Sequence, residues 1–439
     1  MSKNLSVNVE FLTRVEGHGH IIVDMKEGVL NKCVLNIVEA PRFFESMVRG
    51  RSIFELQHIT SRICGICSCG HTLASIQAAE AAIGFTPSEQ TTILRKILLH
   101  LENLDSHILH IYMLAAPDML GKKSAIALAQ TDGETVRRAL RMKKCCNDAC
   151  SILVGRHVHP ISSTVGGFTK IPSEADLLSM REIFVNIQNE IAPTIELAKT
   201  FKFPDFERDT EYVALKNDTE YAMLSGMVAS TDGVLKSKEE YKNITNEYLV
   251  DHSTAKHAKL SRDAYMVGAL ARFNINYDRL SPEAKDAAGE LGLKPVCRNA
   301  YLNTAAQIVE CAHFCADGIR LIDILLEKGT DRSEAVLVGL NENDVIPVKA
   351  GTGVGAVEVP RGLLFHCYSV DENGRVLSAD CVIPTGQNLA NIELDMRKLA
   401  GQVCEKTNEE ATLLFEMMVR AYDPCISCST HVLEVEIVR

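Results

Sequence analysis

Two Cys-x-x-Cys pairs carry most of the chemistry available to this sequence. Cys64 and Cys67 stand in Arg62-Ile-Cys-Gly-Ile-Cys-Ser-Cys-Gly-His71, and Cys425 and Cys428 in Asp423-Pro-Cys-Ile-Ser-Cys-Ser-Thr-His431. The spacing lets two thiolates turn toward one metal, with Gly65 relieving the backbone between the first two. Fifteen cysteines scattered over 439 residues give by chance roughly half of one such pair, so two, each followed closely by a His, are a much stronger signal than one. Inert packing is one alternative, because cysteine is also a small core residue. A closed tetrahedral zinc site is another, and it is the commoner use of paired motifs. Zinc clips usually lie close in sequence, whereas these pairs are about 360 residues apart. The whole fold must close to assemble the site, which suits a buried redox-active metal centre better than a local clip.

The elements that must bring the pairs together are legible in outline. From Ser6 to Ala40 the apolar residues alternate in short runs, with HIIVDM and VLNKCVLNIV separated by Lys26, Glu27 and Gly28, which predicts a hairpin in a small sheet. Helical periodicity takes over from Ile53, with a segment ending at Ile63, one over 71–83 and a long one from Gln90 to about Leu114. Further helices are predicted over 133–154, 173–199 and 303–327, with a Gly- and Pro-punctuated loop at 157–172. Between Val345 and Pro384 the pattern returns to strands, where Asn373-Gly374 suits a tight hairpin turn. Two late helices, roughly 388–404 and 408–421, lead to the last cysteines. Residues 203–300 are read as a surface excursion with no assigned chemistry. No linker composition and no fixed-period repeat divides the chain, so residues 1–439 are read as one domain.

Composition narrows the function class. The chain is 46% apolar and 23% charged, and no apolar run is long enough to cross a bilayer, so it is not membrane-spanning. Its start, MSKNLSVNVEFLTRVEGHGH, has no basic segment leading into an apolar stretch, which predicts a cytoplasmic protein. The net charge is −11 and no basic block tracks phosphates, so nucleic acid is not an expected partner. Tryptophan is absent and aromatics make up 5%, which argues against aromatic platforms for sugars or single strands. In a long chain of this kind the cysteines are expected as reduced thiols or metal ligands.

With both motifs in view, the sequence resembles the large subunit of nickel-iron hydrogenases over most of its length apart from about 203–300. The resemblance implies an α+β fold, mainly α, with a central bundle of long helices and small peripheral β-sheets. It implies Cys64 and Cys425 as terminal thiolates on nickel, and Cys67 and Cys428 as bridges from nickel to an iron carrying CN and CO ligands. Soft thiolates suit both metals. Arg14-Val-Glu16-Gly-His18 resembles the amino-terminal motif whose Glu takes a proton from a nickel thiolate; standing alone, such a Glu is usually a solvated carboxylate. Val359-Pro360-Arg361-Gly-Leu-Leu-Phe-His366 resembles the segment whose Arg lies over the open metal position, with Asp118 and Asp423 as its expected carboxylate partners. Ile383-Pro-Thr385 resembles the segment that hydrogen-bonds the diatomic ligands, with Pro360 and Thr385 on the cofactor. His71 is expected to hydrogen-bond a bridging thiolate. Glu45 and His431 match a second hard-metal site, usually magnesium, completed by a backbone carbonyl near Cys381. Cys145, Cys146, Cys150, Cys311 and Cys315 are read as core packing, and Cys69 is left open between a spare thiol and something particular to a subgroup.

The implied activity is reversible heterolytic cleavage of dihydrogen, with electrons passed to an iron-sulfur small subunit, then to further flavin or iron-sulfur subunits. A separate subunit is expected because the recognised thiols here are committed to one site, leaving no cluster motif for electron exit. The rivals are a quinone-module subunit of the respiratory complex I type, which lacks these ligand cysteines, a hydrogen sensor without turnover, and a structural zinc tetrathiolate protein. Mature family members commonly end at the His of the second motif, whereas this chain continues from Val432 to Arg439. That implies a precursor, a form lacking nickel, or a subgroup that keeps a short tail.

Overall fold

In the first strand, Leu5–Val9, Leu5, Val7 and Val9 point inward while Ser6 and Asn8 face solvent, the period-two pattern of a half-buried strand. It pairs antiparallel with Gly19–Lys26, which turns through Glu27 and Gly28, both at positive φ, into Val29–Ile37. This is the expected hairpin. The computed structural model describes residues 4–336 and 346–430, and within it the sheet grows to five strands. Ser253–His257 joins Val29–Ile37 in parallel and Tyr248–Val250 closes the far edge.

Those last two strands correct the reading of residues 203–300 as a surface excursion. The segment completes the five-stranded sheet and builds a four-stranded one from Glu211–Lys216, Met227–Ser230, Leu235–Lys236 and Tyr265–Met266. It also buries Tyr212, Val213, Leu215, Tyr265 and Phe273 fully or nearly so. Its strands are two to six residues long. That is too short for a period to emerge, and the Lys- and Glu-rich stretch beside them dominates the composition.

The helical core forms around Glu89–Leu109, capped by Ser88, whose Oγ accepts the Thr91 N–H at 3.1 Å. Gly133–Val154 and Asn303–Lys328 pack along it, and Glu174–Gln188 packs on both. The helix expected to run to Leu114 departs from α geometry at its end. His110–Ala115 is a π turn, and the short helix Ala116–Met119 follows with Pro117 in its first turn. Such insertions re-aim side chains and are frequent near functional sites.

The third layer is the sheet Gly351–Val359, Gly362–Val370, Val376–Val382, closed by the Asn373-Gly374 hairpin. It lies on the helix Ser68–Ile83 so closely that a Cβ on Gly353 or Gly355 meets the backbone of Ala74, Ala78 or Ala82. The last helices are Pro384–Val403, with Pro384 opening its first turn, and Asn408–Ala421, started by a capping box between Thr407 and Glu410. The architecture is α+β, mainly α, with long central helices and small peripheral sheets. Among the described residues, no helix is long and apolar enough to cross a membrane.

Candidate metal centre

The first cysteine pair sits where a short turn hands the chain to a long helix. Cys64 follows Ser61–Ile63 in extended conformation, and Cys67 immediately precedes Ser68–Ile83. The Cys64 sulfur accepts the N–H groups of Ile66 and Cys67, each at 3.3 Å. A hydrogen bond from the Cys67 thiol, helped by the nearby Arg361 charge, pulls the Cys64 thiol down to about 7 despite burial. The same pairing pushes Cys67 well up.

The second pair lies in a loop after Asn408–Ala421. Asp423, at φ +51, turns the chain into Pro424, and Cys425 then bridges to Glu16 before the turn Ser427–Ser429 carries Cys428. Backbone bonds from Glu16 N–H to the Pro424 carbonyl and from Ile426 N–H to the Glu16 carbonyl hold the two segments side by side. Gly17, at φ +86, permits this. A Cβ there lies 2.8 Å from Ile426 Cβ and 2.8 Å from the Ser427 nitrogen, so only glycine lets the amino-terminal motif press against the second cysteine loop.

The fold brings all four sulfurs to one place. Those of Cys64, Cys67 and Cys428 lie within 4.8 Å of one another, and Cys64 Sγ is 3.5 Å from Cys425 Sγ. All four residues are buried. The Cys425 and Cys428 sulfurs converge on each other, with their Cα atoms 5.5 Å apart. Two convergent thiols three positions apart can either oxidise to each other or share a metal, and reduction returns the two thiolates. The donor set is then four soft sulfurs in a dry site, which fits nickel and low-spin iron and fits hard cations poorly.

Around the sulfurs, the expected residues fall into place unevenly. Glu16 Oε2 is 3.1 Å from Cys425 Sγ and also accepts the Ser427 N–H at 3.1 Å. Thr385 Oγ1 accepts the Cys425 N–H at 3.0 Å from the first turn of its helix. Arg361 is 3% exposed, and it donates to the Asp423 carbonyl and to Asp423 Oδ1, both at 2.7 Å. Asp423 and the nearby thiols keep the guanidinium charged against its burial. Asp118 departs from the expectation. It binds Arg14 at 2.5 Å and Arg420 at 3.0 Å, while the remaining donor of Arg361 goes to Ser106 Oγ at 3.0 Å. The reason is geometric: Ser106 lies on the α-helical stretch facing Arg361, whereas Asp118 lies beyond the π turn, where two arginines claim both its oxygens. His71 Nδ1 is 3.1 Å from His366 Nε2, and that ring continues to Tyr368 and Ser75, so the contact seen for this imidazole is with His366.

This arrangement has relatives. The sequence pattern of the family described as nickel-dependent hydrogenase matches residues 42–137 and 209–431, well over half of the chain. The chain belongs to that family. It is 34% identical to the alpha chain of sulfhydrogenase 1 from Pyrococcus furiosus, over 98% of this chain and 99% of that one. With its counterpart in the F420-non-reducing hydrogenase of Methanothermobacter marburgensis it shares 31%, over 98% and 95% of the two chains. Among solved structures, the fold matches an NAD+-reducing [NiFe]-hydrogenase in the H2-reduced state at TM-score 0.85 and 25% identity, covering 97% of this chain and 99% of that one. The protein is therefore the large subunit of a hydrogenase, an oxidoreductase that cleaves dihydrogen at a nickel-iron centre, and the zinc and sensor readings are not favoured.

Several residues that support this hydrogenase site escaped the sequence reading. Arg272, fully buried, forks onto Glu310 at 2.6 and 2.7 Å, reaches Glu358 at 3.1 Å, and donates to the carbonyls of Val359 and Pro360. It thereby fixes the backbone that ends in Arg361. Burial favours the neutral carboxyl, yet Arg272 and His107 hold Glu310 well below the usual carboxylate range, while burial pushes Glu358 up to about 7. Glu102 takes the N–H groups of Cys69 and Gly70 at 2.6 and 2.9 Å, and its burial pushes it up to about 8. His159, in the Gly- and Pro-punctuated loop, donates its backbone N–H to Ser68 Oγ at 3.0 Å and sets its ring 3.0 Å from the Ser61 carbonyl. At the expected second metal site, Glu45 Oε1 accepts the Cys381 N–H at 3.0 Å, and burial pushes the carboxyl up to about 8. His431 and the tail from Val432 to Arg439 lie outside the described residues.

Proposed function

We propose that the proton released on dihydrogen cleavage leaves through Cys425 and Glu16, and that the electrons pass to a separate iron-sulfur small subunit. The observation that carries the proton route is the 3.1 Å contact between Cys425 Sγ and Glu16 Oε2. When bound, a nickel-iron pair with CN and CO on the iron supplies the Lewis acidity that polarises dihydrogen. Cys64, Cys67, Cys425 and Cys428 hold it. Glu16 accepts the proton at Oε2, kept in place by the Ser427 N–H. Arg361, anchored by Asp423 and Ser106, presents a fixed positive charge beside the thiolates. Thr385 fixes the Cys425 backbone. Pro360 and Thr385 are taken to border the diatomic ligands, and Asp118 to hold Arg14 and Arg420 around the Glu16 segment. Glu45 and His431 are taken to share a magnesium ion, which the gathering of the Glu45 carboxyl with Asp380 and Glu247 supports.

The electron partner is inferred from chemistry, since the cysteines that converge are spent on one centre and a cluster must lie elsewhere. The relatives named as hydrogenase subunits support a multisubunit enzyme; a cytoplasmic location and further flavin or iron-sulfur subunits belong to the same proposal. The test is Glu16→Gln in the purified complex. Nickel and iron contents stay at wild-type levels while H2/D2O exchange falls; unchanged exchange removes Glu16 from the proton route.

A further inference from the structure

Away from the four cysteines, a second group of ligand-type side chains converges where the five-stranded sheet meets the helix Pro384–Val403. His252 lies between Tyr248–Val250 and Ser253–His257, His257 ends the latter strand, and Glu393 projects from the middle of the helix. One ligand atom from each lies within 4.8 Å of the other two. His252 Nε2 is 2.6 Å from Glu393 Oε1, the oxygen that also accepts the Leu35 N–H at 3.1 Å. The two imidazoles meet edge to face, with ring centroids 5.6 Å apart.

A histidine-carboxylate hydrogen bond accounts for His252 and Glu393 but leaves His257 unexplained. That residue is 2% exposed, and its Nε2 has no hydrogen-bond partner among the described residues. Buried polar atoms are nearly always paired, so an orphaned ring nitrogen in a cluster of ligand groups marks a place for a ligand. We propose that His252, His257 and Glu393 form a further metal site in this protein, apart from the four cysteines and from Glu45, one that takes Zn2+.

The donor set selects the ion. Two imidazoles and one carboxylate suit zinc, whose three-ligand sites keep a fourth position for water, whereas magnesium and calcium want oxygen alone. His252, with its side chain 27% exposed, opens the cluster to solvent and gives that water its place. Arg397 lies near the other Glu393 oxygen, at 3.7 Å from Oε2, which leaves Oε1 aimed at the imidazoles. Binding replaces the His252–Glu393 hydrogen bond, since Nε2 and Oε1 then both face the ion. The ion then ties the edge of the sheet to the helix whose first turn carries Thr385, the residue that anchors Cys425. It is a brace for the second cysteine loop, and it involves none of that loop's ligands.

The test uses the purified hydrogenase complex, dialysed against a mild chelator and then titrated with Zn2+ alone. Wild-type protein retains an equivalent of zinc after desalting, its X-ray absorption shows a nitrogen and oxygen shell with imidazole scattering, and zinc raises its Tm. His257→Ala and His252→Gln each lower zinc retention by roughly tenfold or more with nickel content unchanged. Because His252 is partly exposed, its glutamine variant reads the site even if the His257 variant fails to fold. No zinc retained by wild type, equal retention in wild type and the His252 variant, or a sulfur shell around the zinc overturns the proposal.

Discussion

The two cysteine loops look alike in sequence and are held in different ways. The first is local. Cys64 and Cys67 stand just before the start of one helix, the Cys64 sulfur accepts the Cys67 N–H, and Glu102 closes the helix entry from the neighbouring helix. The second is assembled from afar. Cys425 has Glu16 on its sulfur and Thr385 on its amide, and Asp423 is gripped by Arg361, whose own backbone is pinned through Arg272. A motif on a helix brings its support with it, while a motif on a loop borrows rigidity from residues hundreds of positions away. Changes distant in sequence should therefore injure the second loop more than the first.

The largest effect is expected for Cys425→Ala. Elemental analysis should show nickel lost and hydrogen oxidation abolished, well beyond the roughly 10- to 100-fold that loss of a supporting contact costs. Retained nickel and normal turnover would remove Cys425 from the ligand set. Next comes Glu16→Gln, with metals retained and isotope exchange down by about 10²- to 10⁴-fold, the range of a positioned proton acceptor. Arg361→Lys keeps a charge but loses the fork onto Asp423, and steady-state assay should show hydrogen oxidation lowered by roughly 10²-fold with the fold intact.

Remote support can be broken without touching either loop. Glu310→Gln leaves Arg272 buried and half-paired, and denaturant unfolding should register a loss of about 3–5 kcal/mol. The smallest effect concerns pH. Burial raises Glu358 from 4.5 to about 7, so the native state keeps a proton that the unfolded chain gives up. Stability from this group accordingly falls as pH rises from about 4.5 to 7 and is flat above. Glu310 has the opposite sign: its pKa is depressed, so its contribution is present above the unfolded value and is lost only as pH falls well below it. Thermal melts across that range should show the decline in wild type and a flatter profile in Glu358→Gln. Identical slopes would contradict the assignment.

What the sequence reveals follows the same division. Long helices such as Glu89–Leu109 and Asn408–Ala421 announce themselves, because their period repeats several times and Ser88 or Thr407 marks the start. The cysteine pairs are legible because spacing is itself the signal. The Arg272–Glu310–Glu358 network is not, since three charged residues far apart look like any solvated charges until the fold removes water from all of them. Asp118 misleads for a related reason. The family resemblance puts it beside Arg361, but a π turn re-aims the chain between Ser106 and Asp118. The short strands around His252 and His257 hide a cluster in a region whose composition reads as surface.

The most direct test of the account is metal analysis of the purified complex in wild type and Cys425→Ala. Equimolar nickel and iron in the wild type, with nickel lost from the variant, is the predicted result. Zinc in the four-cysteine site of active protein, with neither nickel nor iron, would contradict it.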